Sequence, residues 1–196
     1  MASDLDADTI AASLTGDFGR ALRYVDEIAS TNTAAMEWAT RGAPHGAVVV
    51  TDHQTGGRGR WGRSWFSLPG KLLQFSLILR SELEVERHGL LTAALGVAVA
   101  DALGPITGRA TTIKWPNDVL VNDKKVAGIL VETHTTGSTI VIAVCGVGIN
   151  VSLERDDLPP EIAARASSLL LETTRELPDR SALLAAVLRE IETRCA

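Results

Sequence analysis

Closely spaced apolar runs separated by short polar turns occupy the middle of the chain, and they constrain its fold more than any other feature. Residues 111–114, 119–121, 126–132 and 139–146 are typical of strands, with turns at Asn122-Asp123 and Gly137-Ser138. Asn, Asp and Gly tolerate the backbone angles of tight hairpin turns, and such turns join antiparallel strands. This region is therefore predicted to form an antiparallel meander.

Further strands and helices are predicted on both sides of the meander. Apolar runs at 20–28, 46–51 and 72–79 indicate strands, and apolar spacing indicates helices over 31–41, 89–103, 165–172 and 181–194. Gly104-Pro105 is expected to end the second of these helices, because proline has no amide hydrogen and clashes with the preceding turn. Asp179 or Ser181 is expected to cap the last helix.

The length and composition suit one compact domain. The chain has 196 residues, and its 45% of hydrophobic residues is enough for a sizeable core. Residues 1–19 are rich in aspartate and are expected to be a loose terminus ahead of a single domain over 20–196. The formal net charge of -5 argues against bulk attraction to nucleic acid or to an anionic membrane. Without a signal-peptide pattern, and with only Cys145 and Cys195 as cysteines, a cytoplasmic location is expected.

Residues 56–65, with the sequence GGRGRWGRSW, stand out against this acidic background, and we call them the arginine loop. Arginine offers fixed charge and forked donors to phosphate or carboxylate, and glycine lets the backbone approach a ligand closely. The loop lies between two strand-like runs. Taken alone, it is equally compatible with an anion site and with a solvated turn.

Two common nucleotide-binding motifs do not fit the arginine loop. Gly57, Gly59 and Gly62 have the spacing of the dinucleotide fingerprint, but residues 65–70 (WFSLPG) break the helix that a Rossmann site requires. A P-loop is excluded because the Gly-Lys pair at 70–71 is followed by leucine and lacks the earlier glycine. A third interpretation stays open, in which the loop is a short arginine-glycine segment that binds nucleic acid.

A second polar cluster, KWPND at residues 114–118, follows a predicted strand. Pro116 fixes one torsion and biases Trp115 towards an extended form, so the polar residues end the strand in a rigid arrangement. An Asn-Asp pair in such a place is more often a turn than a functional site. Lys125 begins the next strand beside Ala127 and Gly128, small residues that leave room for a ligand or mark a bulge.

Taken in chain order, five segments resemble those of biotin protein ligases. They are Ser30-Thr31-Asn32, Gln54 with the arginine loop, Lys114-Trp115-Pro116-Asn117-Asp118, Lys125-Val126-Ala127-Gly128-Ile129-Leu130, and Gly148-Ile149-Asn150-Val151. The resemblance covers about residues 20–195 and is specific, because five segments stay in register. It implies an α+β fold, with a mixed or antiparallel sheet flanked by helices, similar to the catalytic core of class II aminoacyl-tRNA synthetases and lipoate ligases.

The resemblance implies a ligase reaction in two steps. The biotin carboxylate attacks the α-phosphate of ATP to give biotinyl-adenylate and pyrophosphate, and a lysine of a biotin carboxyl carrier protein then takes the biotinyl group. Mg²⁺ would arrive with ATP, and no metal site is assigned to the protein. The acceptor would belong to acetyl-CoA carboxylase or another acyl-CoA carboxylase. No DNA or membrane partner is expected, and a homodimer stays open.

The resemblance also implies roles for individual residues. Catalysis would fall to Lys125, Arg60, Asp118 and Lys114, with Lys125 at the biotin carboxylate and Asp118 as the proton acceptor. Biotin would contact Ser30, Thr31, Asn32, Gln54, Arg58, Gly59, Arg60 and Lys125. ATP or the adenylate would contact Arg58, Arg60, Arg63, Trp65, Asn117, Gly148 and Asn150.

The sequence departs from the family in two places. Only about 20 residues precede the first predicted strand, so the DNA-binding helix-turn-helix domain of some members is expected to be absent, and the small C-terminal β domain is likewise expected to be missing. Two other interpretations stay open. One is a lipoate or octanoate ligase of the same fold, and the other is a biotin-binding module without efficient turnover.

Overall fold

The computed structural model describes residues 4–173 and 175–195. The strands are β1 (Leu22–Ile28), β2 (Val48–Gln54), β3 (Leu72–Glu84), β4 (Thr111–Lys114), β5 (Asp118–Val121), β6 (Lys124–Thr136) and β7 (Thr139–Asn150). The α-helices are α1 (Ala7–Ser13), α2 (Thr31–Thr40), α3 (His88–Thr107), α4 (Pro160–Ala163), α5 (Leu169–Glu172) and α6 (Arg180–Cys195). Residues 1–3 of the predicted loose terminus and residues 174 and 196 of the predicted domain lie outside the described residues.

The strands form one seven-stranded sheet in the order β1-β2-β3-β7-β6-β5-β4. β1 pairs with β2 in parallel, and every other neighbouring pair is antiparallel. The predicted meander is confirmed as β4 to β7. Asn122 and Asp123 both have positive φ in the turn between β5 and β6, as a two-residue hairpin turn requires.

Alternate residues of the central strands face two different layers. Leu73, Phe75 and Leu77 of β3 point into the main core, which fills the space between the sheet and helices α1, α3 and α6. Gln74 and Ser76 therefore point to the opposite face, where α2 packs on β2, β3 and β7. We call this second side of the sheet the α2 face.

The described part of the N-terminal stretch packs against the domain, so the expectation of a loose terminus is wrong for these residues. Helix α1 begins after Asp6, whose carboxylate accepts two amide hydrogens of the first turn. Leu5 and Ile10 are fully buried in the main core. Asp4 forms an ion pair of 2.6 Å with the buried Arg180 at the start of α6. These contacts join the two ends of the described chain.

Helix α3 is longer than the sequence predicts. It continues through Pro105 to Thr107, because a proline in the last turn removes only one helical hydrogen bond. It closes at Gly108, which has a φ of +64° and donates its amide hydrogen to Gly104 at 2.9 Å. By length and composition Val85–Thr107 could cross a membrane, but half of its most apolar window is buried. It packs between the sheet and α6 as a core helix.

The helix predicted over 165–172 is reduced to the single turn of α5. The residues before it are extended, and they bridge to the start of β6. Lys125 donates its amide hydrogen to the Arg165 carbonyl oxygen, and Ser167 donates to the Lys125 carbonyl oxygen, both at 2.9 Å. The bridge uses the Arg165 carbonyl oxygen, which a helix over 165–172 would need for its first hydrogen bond. It also holds the backbone of Lys125 from a second side.

Candidate functional site

A cavity of about 960 Å³ lies on the α2 face of the sheet. Its wall is formed by the start of α2, the arginine loop, the turn between β4 and β5, and small or polar positions of β6 and β7. Every residue to which the resemblance assigned a role lines this cavity. The size is at the upper end of the usual range for small-molecule sites. The structure thus brings the predicted residues together, and their individual roles stay predictions.

Ser30, Thr31, Asn32 and Gln54 form one end of the cavity, which we call the neutral end. Ser30 occupies the N-cap position of α2 but makes no capping bond. Gln54 takes over this function, because its Oε1 accepts the amide hydrogen of Thr31 at 2.8 Å. The Ser30 hydroxyl therefore lies in the cavity wall without being used by the helix.

Asn32 is held by groups behind the cavity wall. Its Nδ2 donates to Glu132 Oε2 at 2.7 Å and to the Leu130 carbonyl oxygen at 3.2 Å. Its Oδ1 accepts from the hydroxyl of Ser76 at 2.6 Å. Both amide hydrogens are thus engaged. For the predicted contact with biotin, Asn32 retains one lone pair of Oδ1.

Arg58 is directed towards Glu132. Its Nη2 lies 3.1 and 3.0 Å from the two carboxylate oxygens, and its Nη1 donates to the hydroxyl of Thr33 at 3.0 Å. The arginine loop itself closes as a small hairpin, in which the Gly59 amide donates to the Arg63 carbonyl oxygen at 2.7 Å. Because the Arg58–Glu132 pair is close to half exposed, water screens it. A ligand with a stronger anionic group can compete for this arginine.

Arg60, Lys114, Asn117, Asp118 and Lys125 form the other end of the cavity, which we call the cationic end. The Nζ of Lys125 lies 2.7 Å from Oδ1 of Asp118. Lys114 and Asp118 face each other across the β4–β5 pair. Arg60 reaches Oδ1 of Asn117 with its Nη1 at 3.5 Å. Three cations and one carboxylate therefore converge, which suits the binding of a multiply charged anion.

The indole ring of Trp65 lies between the two ends, over two glycines of the sheet. A Cβ atom at Gly148 would lie 2.5 Å from this ring, so that position needs a residue without a side chain. At Gly128 a Cβ atom would lie 3.0 Å from the ring, which is a tight contact. The Nζ of Lys125 is 5.4 Å from the ring centre. The indole Nε1 is buried and has no partner among the described residues.

Two of the predicted residues lie at the edges of the site. Asn150 is buried, and its Nδ2 donates to the Ser167 carbonyl oxygen at 2.8 Å, so it ties the end of β7 to the chain before α5. Arg63 is exposed, and its guanidinium lies 5.6 Å from the centre of the Trp61 ring. Trp61 is itself 77% exposed. Arg63 and Trp61 therefore form the outer rim of the arginine loop.

Gln74, Ser76 and Glu132 support the neutral end, and the sequence analysis missed all three. Gln54 donates from Nε2 to Gln74 at 3.0 Å, and the Ser76 hydroxyl contacts Thr31 Oγ1 at 2.7 Å. One signal was present in the sequence. Gln74 and Ser76 interrupt an apolar strand two residues apart, and residues at that spacing point to the same face.

The described residues contain no group of three or more His, Cys, Asp or Glu side chains that could hold a metal ion. Asp118 is the carboxylate of the cationic end. In nucleotide sites Mg²⁺ commonly binds one or two carboxylates together with phosphate oxygens and water. The side chains therefore fit an ion that is carried by a nucleotide. Cys145 is a fully buried residue of the main core, and burial raises the pKa of its thiol.

Residues 24–150 match the biotin/lipoate A/B protein ligase family. The bifunctional ligase/repressor BirA of Bacillus spizizenii is 40% identical over 176 residues, which are 90% of this chain and 54% of that protein. The biotin–[acetyl-CoA-carboxylase] ligase of Mycobacterium tuberculosis is 35% identical over 184 residues, which are 91% of this chain and 65% of that protein. The chain thus spans between about half and two thirds of the length of these relatives.

A solved structure agrees with the fold. The biotin protein ligase of Aquifex aeolicus, in complex with biotin and ATP, superimposes with a TM-score of 0.74 at 34% identity. The match covers 89% of this chain and 70% of that chain. It confirms the predicted α+β fold with a mixed sheet flanked by helices. The chain belongs to the biotin/lipoate A/B protein ligase family.

Proposed function

We propose that the chain activates biotin with ATP and transfers the biotinyl group to a lysine of a biotin carboxyl carrier protein. One observation carries this proposal, namely that a single cavity joins a neutral end of hydroxyl and amide groups to a cationic end. The ring of biotin is a cyclic urea, and its recognition needs fixed donors and acceptors, as at the neutral end. The reaction of its carboxylate with the polyphosphate of ATP needs positive charge, as at the cationic end. The names of the similar proteins, and the biotin and ATP bound to the Aquifex aeolicus ligase, support it.

In this proposal biotin lies across the cavity in one direction. The ring of biotin lies at the neutral end, against Ser30, Thr31 and Gln54. Its carboxylate then points towards Lys125 and Arg60, and the α-phosphate of ATP meets it there. The Trp65 ring borders the same space over Gly148. The two reactants are thereby held close together, which removes much of the entropic cost of their encounter.

In the first step a carboxylate oxygen of biotin attacks the α-phosphorus, and the bond from that phosphorus to the β-phosphate bridging oxygen breaks. Pyrophosphate leaves with the electron pair of this bond. Lys125 and Arg60 stabilise the negative charge that spreads over the reacting phosphate. The 2.7 Å contact with Asp118 holds the Lys125 ammonium at the cationic end. Mg²⁺ bound to ATP would supply further neutralisation of the polyphosphate.

In the second step a neutral lysine amine of the acceptor attacks the carbonyl carbon of biotinyl-adenylate, and AMP leaves. The nitrogen must lose a proton as the amide forms, and we assign this proton to the Asp118 carboxylate. Because Asp118 also contacts Lys125, the same carboxylate serves both steps.

Location in the cytoplasm belongs to this proposal, and the two unpaired cysteines, Cys145 and Cys195, are in keeping with it.

Pyrophosphate exchange into ATP tests the first step without an acceptor protein. The chain is incubated with Mg²⁺, ATP and labelled pyrophosphate, in parallel with biotin, lipoate or octanoate. We expect exchange with biotin alone. Exchange with lipoate or octanoate in place of biotin would instead indicate a lipoate-type ligase. If none of the acids supports exchange but biotin binds by calorimetry, the chain is a binding module without turnover, and the ligase proposal is wrong for it.

A further inference from the structure

We propose that Trp61, at the tip of the arginine loop, is a docking contact for the carrier protein that accepts the biotinyl group. The inference rests on the proposed function and deepens it, because it names a surface to which the protein substrate of the second step binds. Three features of Trp61 support it, namely its backbone conformation, the exposure of its ring and its position at the mouth of the cavity.

The tip of the arginine loop is a tight turn whose backbone does not suit a tryptophan. Arg63 donates its amide hydrogen to the Arg60 carbonyl oxygen at 3.3 Å, and Trp61 and Gly62 between them have φ of +55° and +73°. Positive φ at both central positions is the mark of a type I′ turn, which prefers Asn-Gly, Asp-Gly or Gly-Gly. In the left-handed region a Cβ atom lies too close to the following carbonyl oxygen, so the backbone is strained at Trp61.

Burial of the ring does not compensate for this strain. Trp61 is 77% exposed, and it belongs to no hydrophobic cluster of the described residues. Its ring centre lies 4.6 Å from the guanidinium of Arg60 and 5.6 Å from that of Arg63, and such contacts are weak at an exposed site. Strained residues of this kind are concentrated at functional positions. A binding partner that covers the ring would account for a tryptophan here.

Trp61 lies where the lysine of the acceptor must enter. Its side chain lines the cavity together with the cationic end, and Arg60, which contacts its ring, also reaches Oδ1 of Asn117 at 3.5 Å. Asn117 is the neighbour of Asp118, to which the second step assigns the proton of the amine. A lysine side chain reaches only about 6 Å from its Cα atom. The backbone of the acceptor must therefore come to the mouth of the cavity beside the loop tip.

An exposed tryptophan beside two arginines suits a protein partner. Tryptophan and arginine are enriched among the residues that dominate protein–protein binding, and an indole ring offers a large contact area at a low cost in conformational entropy. Biotin lies inside the cavity, between the neutral end and Lys125, whereas most of the Trp61 ring faces solvent. The acceptor should thus place an apolar side chain on this ring.

Single-turnover transfer tests the inference. Biotinyl-adenylate is formed on the whole chain, and transfer is followed over a range of concentrations of unbiotinylated carrier protein of acetyl-CoA carboxylase. In Trp61→Asn the turn keeps its conformation, because asparagine tolerates positive φ. The half-saturating carrier concentration should rise about tenfold or more, while the limiting rate and biotin-dependent pyrophosphate exchange stay within about twofold of the wild type.

Hydroxylamine in place of the carrier protein separates docking from chemistry. Its nitrogen attacks the carbonyl carbon of the bound adenylate and loses a proton to the buffer, while the bond from that carbon to the AMP oxygen breaks. The products are biotinyl hydroxamate and AMP. Hydroxylamine needs no docking surface, so Trp61→Asn should react with it at the wild-type rate.

Two further variants and one stability measurement exclude a merely structural role. Trp61→Tyr keeps an aromatic ring, and its half-saturating concentration should stay within about threefold of the wild type. Leu90→Asn is the control, because Leu90 is 68% exposed and lies outside the cavity wall, and it should leave transfer unchanged. The urea midpoint of unfolding should rise slightly in Trp61→Asn, since the strain is relieved. A structural role would instead lower both the midpoint and the limiting rate.

The failure of the inference is distinguishable from that of the proposed function. If Trp61→Asn exchanges pyrophosphate normally and saturates with the carrier protein as the wild type does, Trp61 is not a docking contact, while the proposed function stands. An equal loss of exchange and transfer would mean that Trp61 acts through Arg60 or the nucleotide, and it would also overturn the inference. If the wild type shows no exchange with biotin, the proposed function falls, and the inference falls with it.

Discussion

The two ends of the cavity are held in place by different means. At the neutral end, Thr31 is fixed by short hydrogen bonds to groups of neighbouring strands, including the buried Ser76 of β3. At the cationic end, the lysine and arginine groups extend on long side chains from strand ends and from the loop. Lys125 contacts Asp118 at 2.7 Å, and Arg60 contacts Asn117 at 3.5 Å.

This difference shows a division between recognition and chemistry. Fixed donors and acceptors can distinguish ligands, because a wrong group leaves a buried partner unpaired. Side chains that carry charge on flexible stems can follow the negative charge as it moves from carboxylate to phosphate and to the leaving group. Substitutions at the two ends should therefore affect different steps, and the following predictions test that separation.

The largest effect is expected at the cationic end, for Lys125→Ala. Loss of the ammonium should lower biotin-dependent pyrophosphate exchange by a factor on the order of 10² or more, because the reacting phosphate loses a stabilising charge. Biotin binding by calorimetry should change much less. Lys124→Ala is the control, since the Lys124 ammonium bonds to the Ala164 carbonyl oxygen outside the cavity. Exchange near the wild-type rate in Lys125→Ala would remove this residue from the first step.

Asp118→Asn should separate the two steps of the reaction. An amide can still contact Lys125 but cannot take a proton, so transfer from pre-formed biotinyl-adenylate to the acceptor should slow by about 10²-fold. Pyrophosphate exchange should fall by a smaller factor. Single-turnover transfer and exchange are measured on the same preparation. Equal losses in both assays would mean that Asp118 acts only by holding Lys125.

At the neutral end, Gln74→Leu should weaken binding rather than chemistry. The change removes the partner of Gln54 Nε2 and leaves the Asp52 carbonyl oxygen without its 3.2 Å bond. The KM for biotin should rise about tenfold while kcat stays nearly constant, and the free energy of unfolding should fall by about 1–3 kcal/mol. Steady-state kinetics and urea unfolding measure the two effects. A fall in kcat with KM unchanged would contradict the division between the two ends.

The smallest effect is expected for Arg63→Ala at the outer rim. Arg63 is exposed, so its charge is screened, and the KM for ATP should rise by only about two- to fivefold. The effect should shrink further at high ionic strength. Exchange assays over a range of salt concentrations measure both. A loss as large as that of Lys125→Ala would show that Arg63 contacts the adenylate directly.

The sequence was most informative for those parts of the structure that depend on residues close together along the chain. Turn residues such as Asn122 and Asp123, and the periodicity of the runs around them, predicted the antiparallel meander. Two local predictions were wrong. Helix α3 runs past Pro105, and the helix predicted over 165–172 shrinks to one turn because its first residues pair with Lys125. At Pro105 the local cost is small, because a proline in the last turn removes only one helical hydrogen bond. At 165–172 contacts with β6 outweigh the local preference.

The N-terminal helix and the supporting residues of the site illustrate what local patterns miss. Leu5 and Ile10 lie in an acidic segment that looked loose, and they are buried because this segment packs against the main core beside α6 and β1. The partners of Asn32 are equally remote, since Ser76 is 44 residues away along the chain and Glu132 is 100. A polar residue in a strand does not reveal which distant group will bond to it.

The sequence by itself determined the order of the strands along the chain, the arginine loop and the family to which the chain belongs. These features depend on residue identity and on spacing within short segments, which folding does not alter. Only the tertiary structure decided that Gln54 caps α2, that Lys125 pairs with Asp118, and that Ser76 contacts Thr31. The physical reason is that each of these contacts joins groups whose distance is set by the packing of the sheet and not by their separation along the chain.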